Sequence, residues 1–390
     1  MRYTYVVKTY KVRIYPTTAQ EGILNKMLEQ CRWVFNKVLE TRKNSFEQDG
    51  VSLNNYDTMV MLPIWKRARA SLKLVHSQVM QNVNVRVDLA FKAFFRRVKA
   101  GEEKAGYPRF KGYGRYDSMT YPQYGNGVKL VGNQLHLSKL GSVKVKLHRE
   151  LCGIPKTVCI RRGSTGKWFA TFSCECEATL LPEGVKAVGV DVGLQHFATL
   201  SDGKKIANPR FFRKEEKALA KAQRRMSVEA KGTPERAKRR KVVGRVCERI
   251  ANRRTDFAHQ TSRRLVNEFN LIAFEDLDVK QMMSNKTEVF GNKLNQSIAD
   301  VAWNQLVQFT TYKAEDAGRK VILVDPRNTS KKCSRCSVLV QKDLSVRVHH
   351  CPTCGLSLDR DHNAAINILA LGLQRMGSGI AVKSLEAQCL

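Results

Sequence analysis

Val185-Lys-Ala-Val-Gly-Val-Asp191-Val-Gly-Leu-Gln-His-Phe-Ala-Thr-Leu200 is a long apolar run interrupted by one acid. It predicts two buried strands joined by a tight turn. A carboxylate in or beside a buried strand is costly unless it is paired or bound to a cation. Two further acids sit in similar settings. Glu275 ends the buried run Leu271-Ile-Ala-Phe, and Asp361 opens a final helix containing Asn363-Ala-Ala-Ile-Asn367. One such acid is ordinarily a cap or a salt-bridge partner. Three, in a chain short of acids, suggest a compact anionic cluster that holds metal. Oxygen-only ligands favour Mg²⁺ or Mn²⁺. Two ions about 4 Å apart would activate water and stabilise the leaving 3′ oxygen in phosphodiester hydrolysis. Gly189 and Gly193 would let a nucleic-acid backbone approach Asp191. Spacing alone leaves open an ordinary α/β protein with acids at its strand ends.

Outward from this stretch, residues 209–268 read as basic helix, 298–317 as helix and Lys320-Val-Ile-Leu-Val-Asp325 as strand. Upstream, 3–15 reads as a strand stopped by Pro16, with Thr18 and Glu21 as a capping box for the helix that follows. That helix breaks at Gln48-Asp49-Gly50, and others cover about 56–75 and 77–99. Val79, Val83, Val87, Ala90, Phe91 and Phe94 share one face of the last, more as core than as a base-stacking platform. Short alternating runs between Gly106 and Glu177 read as strands. A helical block is therefore inserted into a β-domain that begins at 3–15 and ends near the Leu181-Pro-Glu-Gly184 boundary.

The 390 residues hold 68 Lys plus Arg against 35 Asp plus Glu, a formal charge of +33. Such a charge repels itself unless a polyanion is present, so nucleic acid is the expected partner. The excess is concentrated at 204–264, with 21 Lys plus Arg and 6 Asp plus Glu. A hydrophobic fraction of 43% excludes a disordered tail protein. No apolar run approaches the roughly 18 residues of a membrane span, and the N-terminus lacks a secretory h-region. A soluble intracellular protein is expected.

Cys333-x-x-Cys336 and Cys351-x-x-Cys354 deliver four thiolates to one point, which suits a structural zinc site. His349 and His350 precede the second pair and are alternative ligands. The other seven cysteines are scattered and odd in number, as in a reducing compartment.

Gly189-Val-Asp191-Val-Gly193, Phe274-Glu275-Asp276-Leu277 and Asp359-Arg-Asp361-x-Asn363-Ala-Ala-x-Asn367 resemble the split motifs of a RuvC-like nuclease of the ribonuclease H fold. The cysteine pairs between the last two narrow the resemblance to the TnpB family, transposon-encoded relatives of type V CRISPR effectors. Tyr10-Lys-Val-Arg-Ile-Tyr-Pro16, Cys31-Arg-Trp-Val-Phe-Asn-Lys37, Gly106-Tyr-Pro-Arg-Phe-Lys111 and Asn252-Arg-Arg-Thr-Asp-Phe257 extend it over nearly the whole chain.

The resemblance implies an α+β multidomain chain. Residues 1–15 plus 106–180 would form a β-barrel-like wedge domain, with a helical recognition domain at 16–105 inserted into it. Residues 181–328 plus 357–372 would form a RuvC-like α/β domain, with a zinc ribbon at 329–356 and a flexible tail at 373–390. It implies an RNA-guided DNA endonuclease that binds a transposon-end guide RNA, reads a short target-adjacent motif in double-stranded DNA and cleaves with Mg²⁺ or Mn²⁺. Asp191, Glu275 and Asp361 would be the catalytic, metal-binding acids. Cys333, Cys336, Cys351 and Cys354 would hold one structural Zn²⁺.

Gln81, Arg109, Lys111, Arg224, Arg225, Arg239, Arg240, Arg253 and Arg254 are candidate nucleic-acid contacts, weighed against an ordinary polar surface. One protein copy per RNA and a cytoplasmic site, nucleoid-associated on DNA, are expected. The rival reading is an RNA-guided repressor or transposition accessory protein that never cuts.

Overall fold

In the computed structural model, which describes residues 5–279, 282, 297–343 and 346–377, the chain divides into two compact units, Met1–Glu177 and Ala178–Leu390. The first begins with strand β1 (Tyr5–Tyr15), whose alternate residues Tyr10, Val12 and Ile14 are buried. Helix α1 (Thr18–Asp49) follows. Its cap lies one residue earlier than the Thr18/Glu21 box expected. Thr17 is the residue in the extended conformation, its hydroxyl accepts from Gln20 N, and the Gln20 side-chain oxygen accepts from Thr17 N. Gly50 ends the helix at φ 67°, a left-handed position that suits glycine.

Helix α2 (Asn55–Ala68), a 3₁₀ turn at Ala70–Leu74 and helix α3 (Ser77–Lys99) complete the inserted block. Val79, Val83, Val87 and Phe91 of α3 are buried, while Ala90 and Phe94 are half-buried. Asp88 is clamped between Arg42 (3.1 Å) and Lys92 (2.9 Å), which ties α3 to α1.

Strands β2 (Ser118–Tyr121), β3 (Val128–Val131), β4 (Gln134–Leu137), β5 (Gly141–Lys146), β6 (Ile154–Arg162) and β7 (Trp168–Glu177) join β1 in one antiparallel sheet. Its order is β2-β6-β7-β1-β5-β4-β3. Sheet and helices share one core, in which Trp168, Tyr121, Phe172, Leu24, Met27 and Leu28 are fully buried.

The second unit contains β8 (Ala187–Val192), β9 (His196–Leu200), β10 (Lys205–Ala207), α4 (Phe211–Val228), α5 (Pro234–Glu268), β11 (Leu271–Glu275), α6 (Trp303–Ala317) and β12 (Lys320–Val324). The sheet order is β10-β9-β8-β11-β12. β8, β11 and β12 run parallel, and β9 and β10 are antiparallel additions. Ala302, at φ 54°, breaks the helix expected over 298–317, so α6 starts at Trp303.

A small hairpin of β13 (Val348–His350) and β14 (Ser357–Asp359) leads into α7 (Arg360–Arg375). That helix continues past 372, where the tail was expected to begin, and 378–390 lie outside the described residues. Among the described residues, no helix is long and apolar enough to cross a membrane.

Two glycines let α7 lie directly on the sheet. A Cβ on Gly189 of β8 would stand 2.0 Å from the Ala365 carbonyl oxygen and 2.6 Å from Leu369 N. A Cβ on Gly372 would meet that of Ala273 in β11 at 2.7 Å. The expectation that Gly189 opens a path for nucleic acid is thus corrected. Its missing side chain admits the backbone of α7.

Candidate active site

The parallel register pairs Val190 with Phe274, which carries Asp191 level with Glu275 at the carboxyl ends of two adjacent strands. Ala365, in contact range of Gly189, lies one turn beyond Asp361, so the close approach of α7 delivers the third acid to this end of the sheet. Asp359 caps α7, accepting from the N–H groups of Asp361 and His362 at 3.1 Å each.

Asp191 feels the other two acids. Burial first, then the Glu275 and Asp361 carboxylates, hold the Asp191 carboxyl well above the usual carboxylate range, with Arg360 pulling the other way. Burial also raises Glu275, opposed by a 2.5 Å hydrogen bond from the Thr329 hydroxyl. Arg360 holds Asp361 Oδ1 through Nε and Nη2, each at 3.1 Å. An all-oxygen anionic set in which two carboxylates raise a third suits a divalent cation, since a cation removes the repulsion that raises Asp191.

Cys333, Cys336, Cys351 and Cys354 place their sulfurs within 4.8 Å of one another, with Cys333–Cys354 at 3.6 Å and Cys336–Cys351 at 3.5 Å. A zinc tetrahedron with Zn–S bonds of about 2.3 Å has edges of about 3.8 Å, so the set fits that ion. The two pairs fold alike. Cys333 N donates to Val338 O and Ser337 N to Cys333 O, just as Cys351 N donates to Leu356 O and Gly355 N to Cys351 O. Ser337 and Gly355 both take left-handed φ values, 66° and 71°. His349 is buried with Nδ1 2.6 Å from Lys342 Nζ and falls outside the sulfur cluster.

Sequence reasoning missed what joins these two centres. Asn363 of α7 accepts from Ser334 N and donates to Lys332 O. Asn367 donates to the carbonyls of Thr329 and Lys332, both at 2.7 Å. The Asn-Ala-Ala-x-Asn pattern therefore docks the first cysteine pair onto α7, and Thr329 reaches from the same segment to Glu275. The two asparagines were visible in the motif, but no spacing rule gives their partners, and Thr329 carried no signal.

Of the basic candidates, Arg224, Arg225, Arg239 and Arg240 lie exposed on α4 and α5, although Arg239 has Glu229 at 3.5 Å. Arg253 pairs with the buried Glu215 at 3.1 Å, and the half-buried Arg254 pairs with Asp300 at 2.9 Å. Asp300 also accepts from Phe212 N at the start of α4. These two arginines thus hold α5 to its neighbours. In the first unit, Gln81 and Arg109 are exposed. The Lys111 backbone is held by Asn36 and Arg32, with its ammonium 5.4 Å from the Phe35 ring centroid.

Three family profiles match this chain. They are described as Probable transposase (residues 171–286), Cas12f1-like TNB domain (303–368) and Helix-turn-helix domain (1–50). In the last stretch the described residues hold β1 and the single helix α1. A Streptomyces pristinaespiralis protein with the provisional name RNA-guided DNA endonuclease is 35% identical, over 97% of this chain and 92% of its own length. InsQ of Escherichia coli K12, provisionally named in the same way, is 31% identical over 97% and 95%. The CRISPR-associated endodeoxyribonuclease Cas12f1 of Sulfoacidibacillus thermotolerans is 28% identical over 58% and 56%. Among solved structures, a Cas12f1–sgRNA–target DNA complex contains a chain with TM-score 0.59 at 14% identity, covering 93% of this chain and 98% of that one, a likeness of fold.

Proposed function

This chain belongs to the TnpB family of transposon-encoded relatives of type V CRISPR effectors, and we propose that it cleaves DNA under RNA guidance at Asp191, Glu275 and Asp361. The observation that carries this reading is Asp191, buried at the carboxyl end of β8 and raised by the Glu275 and Asp361 carboxylates from two distant segments. A repressor or accessory role that needs no chemistry gives no reason to place repelling acids together.

The antiparallel sheet of the first unit would be the wedge domain, with α1–α3 inserted as its recognition block. The β8–β12 sheet with α4–α7 would be the RuvC-like domain, and the cysteine segment at 329–356 its zinc ribbon. Guide RNA and double-stranded target DNA are the partners, with one protein copy per RNA. The exposed arginines of α4 and α5 would meet phosphates, giving salt-sensitive contacts that carry no base specificity. Base pairing with the guide would supply specificity beyond the adjacent motif.

Asp191, Glu275 and Asp361 would hold Mg²⁺ or Mn²⁺, which when bound polarises the attacking water and stabilises the leaving 3′ oxygen. The chain's own part is to fix the acids. Thr329 orients Glu275, Arg360 orients Asp361, and the β8–β11 register sets Asp191 beside Glu275. The four cysteines would hold Zn²⁺ as a closed structural set, since four thiolates leave no open position.

The test is to express the chain with its flanking genomic DNA, sequence the RNA that co-purifies, and offer matching DNA with Mg²⁺. A discrete RNA and cleavage confined to DNA matching it are expected. Heterogeneous RNA, or cleavage indifferent to sequence, would overturn the reading.

A further inference from the structure

At the carboxyl ends of β8, β11 and β12 lies a cavity of about 180 Å³. In open parallel sheets this is where ligands bind, because the helices that follow the strands leave a crevice there. Val192, Phe274 and Leu323 supply walls from the three strands, and Val307 of α6 adds a fourth. Glu275 is also part of the lining, so the cavity adjoins the acid cluster.

Three groups of α6 make it more than an apolar gap. Asn304 and Gln308 are exposed amides one helical turn apart, and both line the cavity. Trp303 lines it too and is 5% exposed, yet its indole N–H is buried with no hydrogen-bond partner among the described residues. A buried donor without an acceptor is unfavourable, and a turn of the Trp303 ring toward the cavity would let a ligand atom complete the bond.

We propose that this cavity receives a nucleobase of the DNA strand under attack, beside the phosphate being cut. The inference rests on the nuclease reading and names a subsite for it. The cavity is smaller than the roughly 300–1,000 Å³ of pockets for drug-sized ligands, which suits a single ring system. Glu275 and Asp276 in its lining disfavour a phosphate, whereas base amino groups can donate to carboxylates. Apolar walls suit the faces of a base, the two amides suit its edge, and the Trp303 N–H, once the ring turns toward the base, can donate to a ring nitrogen or carbonyl. A base withdrawn from the stack would hold its own phosphate next to the acids.

The test uses the RNA-loaded chain with Mg²⁺ on matched DNA carrying one abasic site, moved stepwise across the nucleotides that flank the cut. Wild type is expected to slow about tenfold at one position of the abasic site, the scale of a lost base contact. Gln308→Ala and Trp303→Phe are expected to slow cleavage of intact DNA. They should add no further loss when the abasic site occupies the sensitive position. The proposal is overturned if intact DNA is cut and every abasic substrate is cut equally fast, or if the losses from variant and abasic site multiply. Failure to cut intact DNA would instead overturn the nuclease reading, and this inference with it. Thermal unfolding of Gln308→Ala should match wild type, since that side chain is exposed.

Discussion

The Thr329 hydroxyl donates a 2.5 Å hydrogen bond to Glu275 Oε1. Thr329 is buried, and its carbonyl accepts from Asn367 of α7, the helix that also carries Asp361. One short segment thus spans two of the three acids. Thr329→Val keeps the shape and removes the donor. We expect the cleavage rate to fall about 10- to 100-fold, the range for lost outer-shell partners of metal ligands. The Mg²⁺ requirement should rise while DNA binding is unchanged, and Thr329→Ser should recover most of the rate. A loss of DNA binding in step with cleavage would show that Thr329 only supports the fold.

Asp191 sits where burial and two other carboxylates oppose its charge. Asp191→Asn removes that repulsion. Without divalent ions the variant should melt a few degrees higher than wild type, as about 1 kcal/mol shifts a domain of this size by about 2–4 °C. Cleavage should be abolished. Calorimetry with and without Mg²⁺ checks this, and a lower melting temperature in the metal-free variant would contradict it.

Gly189→Ala brings a methyl group against the backbone of Ala365 and Leu369. Neither atom is the end of a flexible side chain, so α7 must move. We expect a loss of about 3 kcal/mol, the top of the usual range for overpacking. Cleavage should fall as Asp361 shifts away from Asp191. Chemical denaturation of the full chain reads the first effect, and single-turnover cleavage the second.

Chelation of the ion proposed at the four cysteines should release that segment before the rest of the unit. Amides within 329–356 should exchange first under chelation, with cleavage failing in parallel as the Thr329 contact loosens. Cys333→Ser that lowers cleavage with no change in exchange across 329–356 would oppose a structural ion.

Asp88 supplies a pH-dependent clamp in the first unit. Burial raises its carboxyl, but hydrogen bonds from Lys92 and Arg42 outweigh that and hold it below the usual value. A lowered folded-state value means that the stabilisation is present above the unfolded value, about 3.9. It is lost as pH falls through the folded value. Asp88→Asn should cost about 1–3 kcal/mol at neutral pH. The cost should shrink when denaturation is repeated near pH 3. A cost independent of pH would mean that the ion pairs contribute nothing.

What the sequence revealed followed from local rules. The β8 and β11 runs are apolar enough to be buried strands, and an acid at the end of each stands out chemically. The cysteine spacing suits a common point, and the four sulfurs lie within 4.8 Å of one another. What it hid depended on partners far along the chain. Arg253 and Arg254 also hold Glu215 and Asp300, partners that no local pattern in the sequence indicates. Gly189 reads as an opening for a ligand until α7 is found against it. Thr329 has neither charge nor a spacing pattern, so nothing in the sequence assigns it to Glu275. The Trp303 N–H and its cavity exist only once β8, β11, β12 and α6 have come together.

The most direct test of the central claim is single-turnover cleavage of guide-matched DNA by the RNA-loaded chain with Mg²⁺. Wild type would be compared with Asp191→Ala, Glu275→Ala and Asp361→Ala, and target binding measured on the same samples. Each variant should bind RNA and target as wild type does, with cleavage lost in all three. A variant that still cuts at the wild-type rate would contradict the claim.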